Sequence, residues 1–295
     1  MASRIQKLAS VGAIMPPKWL PHNVHYEVQT GSVSYGVSSD DSDVDVVGFA
    51  IPPKEDIFPH LNGEIRGFGK QSTPFEQFQK HHVWHGEKEF DFTIYSIVKF
   101  FQLCMENNPN MVDVLFVPQR CVLHCSRIGQ IVRDNRQSFL SKQCYTKFRG
   151  YAYSQLSKMD SKKFTSNEKR NDDVQKYGYS TKYAYHLVRL VLECQQILQE
   201  HDLDIQQNRE ILKSIRRGEW TISEVRSWFD SKEKDIETLN VNSTLREKPF
   251  EDVIRNILLQ CLEEHYGSLD KIVQKNNSVS SLISEIEEVV SRHKG

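Results

Sequence analysis

The chain has 295 residues, 38% of them apolar, and a formal net charge of -1. That length allows one large domain or two of ordinary size. Near-neutrality excludes a global field for nucleic acid or an anionic membrane, so a polyanion must be met by a local patch or through bound cations. No apolar run approaches the roughly 20 residues that span a bilayer, and Pro16-Pro17 interrupts the N-terminal stretch before it resembles a secretory signal. Six scattered cysteines (Cys104, Cys121, Cys125, Cys144, Cys194 and Cys261) show no Cys-x-x-Cys pairing and fit a reduced compartment. The expectation is a cytoplasmic protein without membrane contact.

In chain order, the alternating segment 25–30 reads as a strand, followed by Gly31-Ser32. Asp43 and Asp45 open a second apolar run, 44–51. Residues 52–88 form a long excursion rich in Pro and Gly, the kind of connection that often serves as a lid or flap. In 89–95 (EFDFTIY), Phe90, Phe92 and Ile94 alternate with Asp91, Thr93 and Tyr95, again a strand. Ser96 caps a helix over 96–107, and 111–117 (MVDVLFV) reads as a short strand. From there the pattern is helical: 125–135, 142–159, 181–200, 209–217, 221–239, 250–266 and 278–293. The polar, lysine-rich stretch 160–178 reads as a mobile connection. Two domains are expected, 1–120 and 121–295.

Side chains two apart on a strand point to one face, so Asp43 and Asp45 project together toward the Gly-Ser turn. Carboxylates held that closely repel unless a cation lies between them. Hard ions such as Mg²⁺, or Mn²⁺, take oxygen ligands of this kind beside substrate phosphates. Asp91, alone among apolar residues of another strand, supplies a third acid. Asp43 and Asp45 would hold one ion on a nucleoside triphosphate, and Asp91 would complete a second position that activates an attacking hydroxyl. Ser32 and nearby amides would bind phosphate where a helix begins after the turn. A plain acidic surface loop accounts for Asp40 and Asp41, but not for Asp43 and Asp45 entering an apolar strand, where unpaired charge is costly.

Gly31-Ser32, Tyr35-Gly36, Ser42-Asp43-Val44-Asp45 and the later Asp91 resemble the signature of the DNA polymerase beta-type nucleotidyltransferase superfamily. Residues 89–96, Asn108-Pro109-Asn110 and 182–192 resemble an RNA-repair-associated subgroup. The resemblance spans roughly residues 25 to 220. It implies an α+β fold, with a small mixed β-sheet nucleotidyltransferase core, flanking helices and an all-helical C-terminal half. It implies Mg²⁺, a nucleoside triphosphate such as ATP, and an RNA acceptor, in particular a damaged tRNA 3′ end, with pyrophosphate released. Transfer to a protein acceptor, as in antitoxin-like AMPylating relatives, and nucleotide binding without turnover are the alternatives. Gly31, Ser32 and Ser42 are nucleotide-binding candidates, although Ser39 and Ser42 also suit turn capping.

Lys182, His186 and Arg189 fall at i, i+4 and i+7 on one helix face, which in this family can turn toward the phosphates. A solvated face beside an apolar one is the plainer account. Lys147, Arg149, Tyr151 and Tyr153 have the composition of a single-strand platform, but a helix with partly packed tyrosines explains them better. The lysines Lys158, Lys162, Lys163, Lys169 and Lys176 are largely offset by neighbouring acids. His81, His82 and His85 offer a zinc-like spacing, discounted because no carboxylate or thiol lies at a convincing distance and the segment falls in the long excursion. Cys121, His124 and Cys125 lack a second ligand pair.

Overall fold

The computed structural model describes residues 2–38, 43–69, 71, 73–160 and 168–267. Five strands, β1 (Val24–Gln29), β2 (Val44–Ala50), β3 (Gln77–His85), β4 (Lys88–Ser96) and β5 (Val122–Cys125), form one sheet in the order β3-β4-β2-β1-β5. β2 and β4 run parallel and every other pair is antiparallel. The sheet therefore takes in residues beyond position 120.

The strands form where alternation separates two faces. Val44, Val46 and Ala50 on β2, with Phe90, Phe92 and Ile94 on β4, pack against α1 (Arg4–Ser10) and α2 (Leu20–Asn23). Tyr26, Val28, Phe49 and Ile51 turn the other way, into a larger core that continues through the helical half to Leu262. The same alternation puts Asp45 on that second face. α1 is an addition to the expected elements; Ser3 caps it, and its Arg4 and Ile5 amides donate to the Glu27 carboxylate on β1 at 2.5 and 3.0 Å.

The excursion after β2 holds α3 (Lys54–Ile57), a 3₁₀ turn (Pro59–Asn62) and then β3, which forms a hairpin with β4. α4 (Ile97–Met105) follows, capped by Ser96 as expected. The expected strand at 111–117 is instead α5 (Pro109–Phe116). The Asn108 side chain accepts the Asn110 amide, Pro109 occupies the first turn, and Met111 through Phe116 are all buried. An element buried all round shows no 3.6-residue period, so a short apolar run of this kind reads equally as strand or helix. α6 (Arg127–Asp134) starts two residues later than expected because Ser126 caps it, leaving Val122–Cys125 to the sheet.

α7 (Gln143–Asp160), α9 (Thr181–Glu200), α10 (Arg209–Arg216), α11 (Ile222–Asn242) and α12 (Glu251–Tyr266) match the expected helices to within a few residues at their ends. The stretch expected to be a mobile connection contains α8 (Glu168–Tyr177). The helix expected over 278–293 lies outside the described residues. No helix among the described residues is long and apolar enough to cross a membrane. α7 and α9 pack side by side, and both present residues to the face of the sheet that carries Asp45.

Candidate active site

Asp45 and Asp91 are register partners on the parallel strands β2 and β4. Side chains of register partners leave the sheet on the same face. The two acids therefore meet although 46 positions separate them, and the hairpin strand β3 lies outside the pair. Asp43, exposed, stands just before β2 and acts on Asp45 through space. Burial first, then the charges of Asp91 and Asp43, raise the Asp45 carboxyl above the ordinary range, while Lys182 and His81 oppose the rise. The fold thus brings all three acids to one end of the β2–β4 ladder.

The Gly31-Ser32 turn closes one side. It is a single 3₁₀ turn, Gly31–Val33, and the helix expected to begin there does not form. Gly31 has φ of +75°, and a Cβ at this position would lie 2.6 Å from Asp45 Oδ2. The glycine is thus required twice, for its left-handed backbone and for the carboxylate lying against it. Thr30 donates its amide to the Asp45 carbonyl at 2.9 Å, and Ser34 Oγ donates to the Gly31 carbonyl at 2.8 Å, which fixes the turn. Ser32 is half-buried, and its carbonyl accepts the Val37 amide at 2.9 Å. Ser42 lies outside the described residues.

These groups open on a cavity of about 520 Å³ between the sheet and α5, α7 and α9. Gly31, Asp45, His81, Asp91, His186 and Arg189 are among its lining residues. That volume is in the range of small-molecule sites. Along α9 the three basic residues descend from solvent to interior: Lys182 is exposed, His186 half-buried and Arg189 buried. Arg189 does not fit the solvated account, because it is buried in an ion-pair network. Its Nη1 lies 2.5 Å from Asp113 Oδ2 and 2.8 Å from Glu193 Oε2, and its guanidinium stacks over Tyr35 at 4.3 Å. Tyr35 in turn donates to Asp113 at 2.6 Å. Desolvation raises the Asp113 and Glu193 carboxyls despite the arginine beside them. Arg189 Nε and Asp113 Oδ1 are buried without a hydrogen-bond partner, so this network keeps unmet polar capacity beside the cavity.

Several lining residues carry no signal in the sequence. Asp113 falls in the segment expected to be a strand, and its burial is legible only once α5 is known to be a helix. Gln155 faces the cavity from α7 beside Tyr151 and Lys158, two residues that the sequence does single out. The plainer account does hold for their neighbours: Arg149 Nη2 pairs with Glu233 at 2.7 Å, and Tyr153 bonds the same carboxylate. The histidine segment corrects the expectation of a loop far from any acid. It is β3, and pairing with β4 brings His81 Nδ1 to 3.2 Å from Asp91 and His82 Nδ1 against Glu89.

The donor set suits a divalent cation. Asp45 and Asp91 offer hard oxygens in one pocket, and their mutual repulsion is what such an ion relieves.

Residues 6–264 match the RNA repair pathway DNA polymerase beta family (RlaP), and the chain belongs to it. That family is one of polymerase beta-type nucleotidyltransferases, which generally use divalent metals and a nucleotide substrate. An uncharacterized 38.9 kDa protein from the nrdC-mobD intergenic region of Enterobacteria phage T4 is 28% identical over 130 residues, spanning 43% of this chain and 36% of the phage protein. A nucleotidyltransferase-like protein from Exiguobacterium sibiricum aligns in structure over 81% of this chain and 73% of its own, with 8% identity and a TM-score of 0.29.

Proposed function

We propose that the protein transfers a nucleoside monophosphate from a nucleoside triphosphate to the 3′-hydroxyl of an RNA, with a damaged tRNA as the acceptor; the RNA-repair description of the family supports this reading. The observation that carries it is the register pairing of Asp45 with Asp91 at the wall of the 520 Å³ cavity. Asp43, Asp45 and Asp91 would hold Mg²⁺ or Mn²⁺. When bound, the ion would neutralise triphosphate charge and favour ionisation of the acceptor hydroxyl.

The chain's own groups define the rest. Lys182, which acts on Asp45 through space, and His186, which lines the cavity, would meet the phosphate charge. The unpaired Arg189 Nε adds a buried donor at the inner end. Tyr95 and Tyr151 offer aromatic faces to a base, which stacks on such rings without sequence preference. Asp91 would take the proton of the acceptor hydroxyl. The hydroxyl oxygen then forms its bond to the α-phosphorus, the α–β phosphoanhydride bond breaks, and pyrophosphate leaves. The six free cysteines, five of them buried, support a reducing, cytoplasmic setting.

The test is incorporation of α-labelled ATP or CTP into mixed tRNA ending in 3′-hydroxyl, with Asp45→Asn as control. Label on RNA, abolished by the substitution, is the expected result. Label on protein would replace the RNA acceptor with an AMPylation target, and nucleotide binding without pyrophosphate release would remove the transfer reaction.

A further inference from the structure

β3 departs from regular pairing at one place. Its register with β4 shifts between Lys80 and Val83, and within that bulge His82 has φ of +55°. Adjacent residues on a regular strand point to opposite faces. The bulge cancels that alternation, so consecutive histidines both meet β4 acids. His81 Nδ1 reaches Asp91 Oδ2 at 3.2 Å, the His82 amide donates to Asp91 Oδ1 at 2.8 Å, and His82 Nδ1 bonds Glu89. Bulges commonly sit beside active sites and re-aim a side chain there. A histidine in the left-handed region costs free energy that its surroundings must return.

One ligand atom each from His82, Glu89 and Asp91 lies within 4.8 Å of the others. This is a mixed donor set, one imidazole nitrogen and two carboxylates, unlike the all-oxygen group of Asp43, Asp45 and Asp91. Imidazole nitrogen favours transition ions, whereas Mg²⁺ prefers oxygen and water. We propose that His82, Glu89 and Asp91 form a second divalent site, selective for Mn²⁺ or Zn²⁺ over Mg²⁺, at the β3–β4 hairpin. The site shares Asp91 with the nucleotide-side acids, so an ion there would tie the hairpin to the cavity wall. Its ligands are independent of whether the chain transfers nucleotides.

Calorimetric titration of the full chain with MnCl₂, ZnCl₂ and MgCl₂, without nucleotide, tests this. His82→Gly suits the purpose, because glycine adopts the left-handed backbone freely and carries no ligand atom. The expected result is Mn²⁺ and Zn²⁺ binding weakened at least about tenfold by His82→Gly and by Glu89→Gln, of the order seen when groups supporting a metal site are removed. Asp43→Asn should leave the Zn²⁺ binding within about twofold. Retention of wild-type Mn²⁺ and Zn²⁺ affinity in both hairpin variants would overturn the proposal, as would Mg²⁺ binding as tightly as Mn²⁺. Loss of the same binding in Asp43→Asn would assign the ions to the aspartate pair instead. Melting curves of the variants establish that the fold is intact. Because the titration uses no nucleotide, its failure is separate from any failure of the transfer assay.

Discussion

Two acidic clusters border the same cavity and are handled in opposite ways. Asp113 and Glu193 are buried on α5 and α9, and the protein supplies their cation, Arg189, at 2.5 and 2.8 Å. Asp45 and Asp91 sit on the sheet, open to the cavity, and the cations that face them are exposed: His81 lies 3.2 Å from Asp91, and Lys182 acts on Asp45 through space. The first cluster carries its own cation and joins the Gly-Ser turn to the helices through Tyr35. The second stands open to a cation from outside. Glu27 shows a third arrangement, a buried carboxylate served by the backbone amides of Arg4 and Ile5. Chemistry is to be sought where the fold leaves charge uncompensated, and stability where it does not.

The largest expected effect breaks the comparison at the open pair. Asp45→Asn or Asp91→Asn should lower transfer activity by about 10³-fold or more, since a bound metal contributes several kcal/mol at the transition state. Melting temperature should hold or rise, because either substitution removes the repulsion between the two carboxylates. A drop in melting temperature alongside lost activity would make the open pair structural too.

Arg189→Ala is the converse. Removing one partner of a buried pair leaves the other uncompensated, at a cost of about 3–5 kcal/mol. For a chain of this size that corresponds to a fall in melting temperature of roughly 10 °C. Calorimetry showing a fall under about 2 °C would mean the network contributes little, and any effect on the nucleotide requirement would then be direct.

Glu27 sharpens the comparison through pH. Burial, outweighing its two amide donors, raises its carboxyl from 4.5 to about 7. Below 4.5 the group is protonated in both folded and unfolded chains and burial carries no ionisation penalty. Between 4.5 and about 7 the folded chain keeps a proton that the unfolded chain releases, so stability falls as pH rises through this window. The loss attributable to this group reaches about 3 kcal/mol, because each tenfold change in proton affinity is worth roughly 1.4 kcal/mol. Urea unfolding at about pH 5 and about pH 8 should show that difference, and Glu27→Gln should flatten it.

The smallest effect is at the turn. Gly31→Ala places a methyl against Asp45 Oδ2 and strains the backbone by about 1–2 kcal/mol. Activity should fall about tenfold, the equivalent of roughly 1.4 kcal/mol at the transition state. Unchanged kinetics would show that the Asp45 carboxylate can move away from the turn without consequence.

Sequence carries the site further than it carries the fold around it. Asp43, Asp45 and Asp91 stand out because charge interrupts apolar alternation, a local contrast that survives without tertiary knowledge. α9 is legible to the residue from its period and its length. α5 is not, because burial on all sides erases the contrast between faces. β3 is hidden for the opposite reason: it is an edge strand with most of its side chains exposed, and a bulge interrupts its alternation. The pairing of Arg189 with Asp113 joins helices 76 positions apart, and no spacing rule announces it.

The adjacency of β2 and β4 has a further consequence. Parallel neighbours cannot be joined by a tight turn, so the chain must leave the sheet after Ala50 and return before Asp91. The spacing of the two acids is set by the ladder between those strands, not by the length of the detour. The length of the segment from Pro52 to Gln77 therefore does not enter the geometry of the candidate site. A residue added to or removed from that detour leaves the Asp45–Asp91 spacing as the ladder sets it.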